Sequence, residues 1–300
     1  MTSHLPRSSL VALLASLLCG LPPSTRASSL RGQPIGFASN QRQDTAQWQD
    51  FAPEGEEFSV SMPRPPSVSR GTRYAYLDRD VLVSFRIYRV VYQHTLFIIQ
   101  SYELPTPKAM LKGLFSGRRN LKLGQNLEQS GYKGKTFSQT DDRFSSKGQY
   151  FVTANHIYVV EAANRGEANP GIDQFLTSFN LHGADRRTVS QAASLAESGP
   201  APITDLYSSR DVSSKVIILA KQEPGYSPAA RDNHLTGTVM LKVTLASSGN
   251  IADIEVASGL KGLTQLAIEA SKTMIFIPAE KDGKPVSQRV LVEYSFMLSP

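Results

Sequence analysis

Apolar residues follow two spacings along the chain, one of strands and one of helices. Phe58-Ser59-Val60-Ser61-Met62 alternates and stops at Pro63, while Val81 to Val91 and Thr95 to Leu104 are rich in β-branched and aromatic residues. Three strands are therefore predicted before Pro105. Between Pro107 and Leu123, Met110, Leu111, Leu114 and Phe115 recur at roughly helical spacing, and Pro107 suits a first helical turn, so an amphipathic helix is predicted there. Strand spacing returns at Lys135 to Gln139, Gly148 to Ala154 and His156 to Ala162, with a turn at Ala154-Asn155. Pro170-Gly171 opens a second helix in which Ile172, Phe175, Leu176 and Phe179 share one face. The order β, β, β, α, β, β, β, α predicts an α+β domain over residues 48–182, an antiparallel sheet with two helices.

Residues 183–212 change character, with alanine, serine, Pro200, Pro202 and no sustained apolar face after Leu195. They read as an interdomain linker, with Val189 to Glu197 as a candidate short helix. From Ser213 the periodicities sharpen. Pro228 can start a short helix running to Asn233, and Thr238 to Leu245 then alternates, with Val239, Leu241, Val243 and Leu245 on one face. Ser247-Ser248-Gly249-Asn250 supplies hairpin chemistry, and the returning strand carries Ile254 and Val256 inward and Asp253 and Glu255 outward. Leu263, Leu266, Ala267, Ala270 and Met274 form the apolar stripe of a second helix. After the Asp282-Gly283 turn, a last strand places Val290, Val292, Tyr294, Phe296 and Leu298 on one face. Residues 213–300 are thus predicted to form two helices on a three-stranded antiparallel sheet, able to bury one another without the rest of the chain.

The N-terminus changes the setting of these domains. Residues 1–27 read as an export signal: Arg7 gives a positive start, Leu10 to Leu21 an apolar run, and Thr25-Arg26-Ala27 a cleavage site. The run stops at Pro22-Pro23, short of the roughly 20 apolar residues that a membrane span needs. Cleavage after Ala27 and a periplasmic or exported location are expected, with inner-membrane anchoring by an uncleaved signal as the alternative. Cys19, the only cysteine, would leave with the signal, and Leu17-Leu18 before it does not suit lipid attachment. Disulfides and thiolate metal sites are then excluded. Residues 28–47 are polar and read as a flexible leader.

Charge and chemistry narrow the function. Lysine and arginine exceed the acidic residues by 32 minus 26, or +6, without forming a stripe. The densest clusters, Arg118-Arg119 and Arg186-Arg187, lack interleaved aromatics, so no nucleic-acid partner is expected. Catalytic motifs such as GxSxG, HExxH and phosphate-binding glycine loops are absent from the sequence. The five histidines are scattered with no pair at helical metal-ligand spacing. Neither an enzyme nor a metal or other cofactor is expected.

Several motifs in order make the C-terminal part resemble the TonB C-terminal domain family. Pro224-Gly225-Tyr226 and Ala230-Arg231 match its opening, Gly237-Thr238-Val239 and Gly249-Asn250-Ile251 its first hairpin, and Phe276-Ile277-Pro278-Ala279 with Asp282-Gly283-Lys284-Pro285-Val286 its passage into the last strand. Two positions depart from the pattern: Met274 replaces a usual tryptophan and Ser227 a usual second proline. The resemblance implies binding of an envelope protein or peptide by β-strand addition to the final strand, about Gln288 to Tyr294. The partner-binding positions it implies are Gln288, Arg289, Leu291 and Glu293, with Val290, Val292 and Tyr294 holding the fold. An outer-membrane TonB-dependent receptor is one such partner. A true energy transducer and a structural, self-associating envelope protein, hence a homo-oligomer, are the alternatives. In the N-terminal part, Trp48-Gln49-Asp50-Phe51, Phe58-Ser59-Val60-Ser61-Met62-Pro63 and Phe175-Leu176-Thr177-Ser178-Phe179 resemble exported domains of PsbP-like fold.

Overall fold

A computed structural model describes residues 48–75, 81–103, 118–182 and 205–298, together with residues 113, 115 and 203. The expected signal, the leader and the Val189–Glu197 helix lie outside the described residues. In the N-terminal part, β1 (Gln49–Phe51) and β2 (Phe58–Met62) form a hairpin. Seven further strands build one antiparallel sheet: β3 (Ser67–Tyr74), β4 (Leu82–Tyr92), β5 (Thr95–Glu103), β6 (Leu121–Gln129), β7 (Tyr132–Thr140), β8 (Ser145–Val152) and β9 (His156–Asn164). Their spatial order is β3-β4-β5-β9-β8-β7-β6. Helix α1 (Gly171–Ser178) follows, and β10 (Asn180–Leu181) pairs with β2.

Strands β4, β5 and β9 lie in the middle of the sheet and are buried on both faces, which explains apolar runs in place of strict alternation. One face, carrying Tyr88, Phe97, Tyr158 and Val160, is covered by β2 and α1 through Phe58, Phe175 and Phe179. The opposite face carries Val83, Phe85, Ile87, Ile98, Ile157 and Val159, and its cover comes partly from far along the chain: Ile217, Leu219, Ala220, Ile275 and Ile277. The helix expected between Pro107 and Leu123 falls largely outside the described residues, and its last residues, Leu121 to Leu123, are instead strand β6. Of the two helices expected in this part, α1 is described in full, and within the other the described residue Gly113 is helical.

The C-terminal part comprises β11 (Leu206–Tyr207), β12 (Ile217–Ala220), α2 (Pro228–Asp232), β13 (Gly237–Leu245), β14 (Ile251–Ser258), α3 (Thr264–Ser271), β15 (Ile275–Ile277), β16 (Ala279–Lys281) and β17 (Lys284–Phe296). The antiparallel core β14-β13-β17 is present, and β13 and β17 follow the predicted alternation, with Val239, Leu241, Val243, Val292 and Tyr294 buried against Ala267, Ala270 and Met274, whereas Val256, expected inward on the edge strand β14, is exposed. The sheet, however, has five strands and not three. β16 folds back on the start of β17 through the Asp282-Gly283 turn, where both residues take positive φ. β11, from the segment expected to be linker, adds on in parallel. β12 and β15 form a separate two-stranded ribbon. The whole is a mixed fold that is mostly β.

Helix α2 shows why the family's proline can be absent at Ser227. The Ser227 hydroxyl accepts the Ala230 N–H at 3.1 Å, an N-cap, and Pro228 fills the first helical turn. Met274 is fully buried in the core of this part, where a flexible thioether side chain packs readily.

The two parts are joined by more than the shared core. Arg89, buried on β4, donates to the carbonyls of Lys272 at 3.2 Å and Met274 at 3.3 Å, just after α3. Burial pulls its guanidinium down to about 10. Arg165 donates to the carbonyls of Lys215 and Pro278 at 2.9 and 2.7 Å, and Arg73 bonds the Gln222 side chain. Gly225 lies so close to β3 that an added Cβ would come within 2.6 Å of the Ala75 carbonyl oxygen and nearer still to that of Tyr74. Residues Thr45–Pro300 accordingly form one compact unit.

Candidate functional site

The outer side of β17 is one place where this fold leaves backbone groups without a described strand. On its inner side β17 pairs with β13 in continuous register from Gly237↔Phe296 to Leu245↔Gln288. On its outer side it meets only β11, at Leu206↔Ser287 and Tyr207↔Gln288. The Ser287 N–H donates outward to the Asp205 carbonyl at 3.1 Å. Backbone groups alternate sides along a strand, so those of Arg289, Leu291, Glu293 and Ser295 also face outward. Beyond Gln288 no described strand pairs with them.

Side chains obey the same parity. Arg289, Leu291 and Glu293 are exposed, Leu291 at 61%. Arg289 donates to the Thr244 hydroxyl at 3.1 Å and reaches Asp253 and Glu255 across the sheet. Gln288 lies on the opposite, core-facing side with Val290, Val292 and Tyr294. It is buried, and its Oε1 accepts the Val216 N–H at 3.1 Å. The four positions implied by resemblance therefore divide: Arg289, Leu291 and Glu293 line the edge together, and Gln288 is committed inside.

Three groups at this edge carried no signal in the sequence. Lys221 donates to the outward Glu293 carbonyl at 2.8 Å, pairs with Glu223 at 3.3 Å, and sits 4.6 Å from the Tyr294 ring centroid. Ser287 donates its hydroxyl to Asp205 Oδ1 at 2.8 Å and accepts the Ser247 N–H. Tyr207 lies under Lys281 Nζ at 4.3 Å. Lys221, Tyr207 and the Ser287 partner Asp205 lie in segments distant from β17 in sequence, so spacing could not have gathered them. Burial holds the Tyr294 phenol well above its ordinary range, assisted by the Glu223 charge.

Among the described residues no three His, Cys, Asp or Glu side chains gather as a metal site, and no helix is long and apolar enough to cross a membrane. The arrangement is a backbone edge beside a charged sheet face, and such an edge can hydrogen-bond another extended chain. A small module of helices on an antiparallel sheet, with its last long strand exposed on one side, is the class that fold and edge define. Residues 222–298 match the family model for the Gram-negative bacterial TonB protein C-terminal. No curated protein matches the chain.

Proposed function

We propose that the protein binds an extended segment of an envelope protein or peptide by adding it as a strand to the outer side of β17. The observation that carries this reading is the run from Leu291 to Ser295, whose outward N–H and C=O groups face no described strand. Strand addition gives affinity through main-chain bonds, and exposed side chains beside the ladder, here Arg289, Leu291 and Glu293, tune specificity. The resemblance supports an outer-membrane receptor as one such partner and a periplasmic location for the encounter.

Hydrogen exchange of the full chain with and without envelope peptides tests the reading: protection must appear on Leu291, Glu293 and Ser295. Leu291→Pro removes one outward N–H and leaves the β13 ladder intact, so it should weaken binding while changing stability little. Val292→Pro removes an inward N–H and should destabilise the sheet. Binding that leaves the 291–295 amides exchanging as before would refute strand addition. Native mass spectrometry with and without envelope extract separates a foreign partner from self-association through the same edge.

A further inference from the structure

We propose that the segment Asp205–Tyr207 is a resident strand on the partner edge, one that an incoming strand must displace to use β17 along its whole length. The proposal rests on the strand-addition reading and concerns the regulation of that same edge.

The register carries the argument. Asp205 gives its carbonyl to the Ser287 N–H at 3.1 Å and its carboxylate to the Ser287 hydroxyl at 2.8 Å. In a parallel ladder with Leu206↔Ser287 and Tyr207↔Gln288, the Tyr207 N–H faces the Ser287 carbonyl and the Tyr207 carbonyl faces the Arg289 N–H. The segment therefore occupies the first outward groups of β17 in the manner of a bound peptide. After Tyr207 the chain turns away, with the Asp211 N–H on the Ser208 carbonyl and Ser214 bridged to Glu280.

The hold is slight by the measure of the rest of the sheet. β11 has two residues, Leu206 is 45% exposed, and Tyr207 is half-buried with Lys281 Nζ over its ring. Farther along, Lys221 covers the Glu293 carbonyl with a flexible ammonium group. A lysine over an exposed edge blunts unwanted pairing. The free protein thus guards its edge at both ends, by a short strand at Ser287 and a single cation at Glu293. Between these guards the Leu291 groups meet no strand among the described residues and offer a landing point. A strand that starts there and extends toward Ser287 replaces β11 with bonds of the same parity.

A synthetic peptide copying residues 203–209 of this chain is the probe, titrated at up to about 1 mM against the full protein and its Tyr207→Pro variant, with exchange of the 287–295 amides as a second readout. Tyr207→Pro removes the N–H that faces Ser287, so the Ser287 amide should exchange faster in the free variant. If the resident strand is closed about nine-tenths of the time, the variant should bind the peptide about tenfold more tightly than the native protein. Asp205→Ala, which removes only the bond to the Ser287 hydroxyl, should shift both readouts the same way by less. Equal peptide affinity for native and variant protein overturns the proposal, as does no binding to either, because an edge that holds this strand in cis must take it in trans once vacated. A variant that takes the 203–209 peptide but binds no envelope peptide would refute the foreign-partner reading and leave the resident strand standing.

Discussion

Gly225 shows how one position can serve two parts of a chain. The family motif leaves the residue between Pro224 and Tyr226 open, yet here the Tyr74 and Ala75 carbonyls exclude a Cβ. Gly225→Ala should therefore destabilise the protein by about 1–3 kcal/mol, as overpacking does, measured by denaturant unfolding. Beneath the sheet, Leu241 is fully buried, and Leu241→Ala should cost about 2–5 kcal/mol. Leu266, on the predicted stripe of α3, is only partly buried, so Leu266→Ala should cost less than about 2 kcal/mol in the same assay. Equal losses at the two leucines would contradict the packing. Gln288 was within reach of sequence reasoning, because strand parity puts it with Val290 and not with Arg289. Lys221, Ser287 and Asp205 were not, since their meeting depends on chain folding across about 70 residues or more.

At the scale of elements, legibility followed the environment of each strand. β13 and β17 bury one face and expose the other, so their alternation could be read directly. β3 and β6 are edge strands of the large sheet, with polar sequences SVSRGTRY and LKLGQNLEQ, and carried no apolar period to find. Leu121 and Leu123 instead extended the apparent helix that precedes them. β11 is too short for any period, and its pairing is fixed by Asp205 and Ser287. Helix α2 has five residues, too few to persist without its cap and packing. Ser227→Ala should cost about 1 kcal/mol through the lost Ala230 bond, and Ser227→Asn should restore it, by the same unfolding assay.

Across the whole molecule, the ribbon β12–β15 decides how the parts depend on each other. Internal burial alone predicts that residues 213–300 fold independently, but Ile217, Leu219, Ile275 and Ile277 pack on the large sheet, and Arg89 reaches the end of α3. A fragment of residues 205–298 should therefore unfold at lower denaturant than the full chain and bind a hydrophobic dye that the full chain does not. Alkaline pH probes the same interior. Burial raises the phenols of Tyr88, Tyr102, Tyr158 and Tyr294, with Glu56 adding to the effect at Tyr88 and Tyr158. Because their folded pKa values lie above the unfolded value of about 10, stability is intact below that pH and falls as pH rises past it. Absorbance of these tyrosinates should appear together with loss of structure, not before it. The ribbon also separates two kinds of boundary. Ile275 and Ile277 lie inside the matched stretch 222–298, yet their side chains belong to a core built mainly by residues 83–163. The match begins at residue 222 while the packing draws no line there, so a similar module grafted at that residue would bring a ribbon shaped for another neighbour.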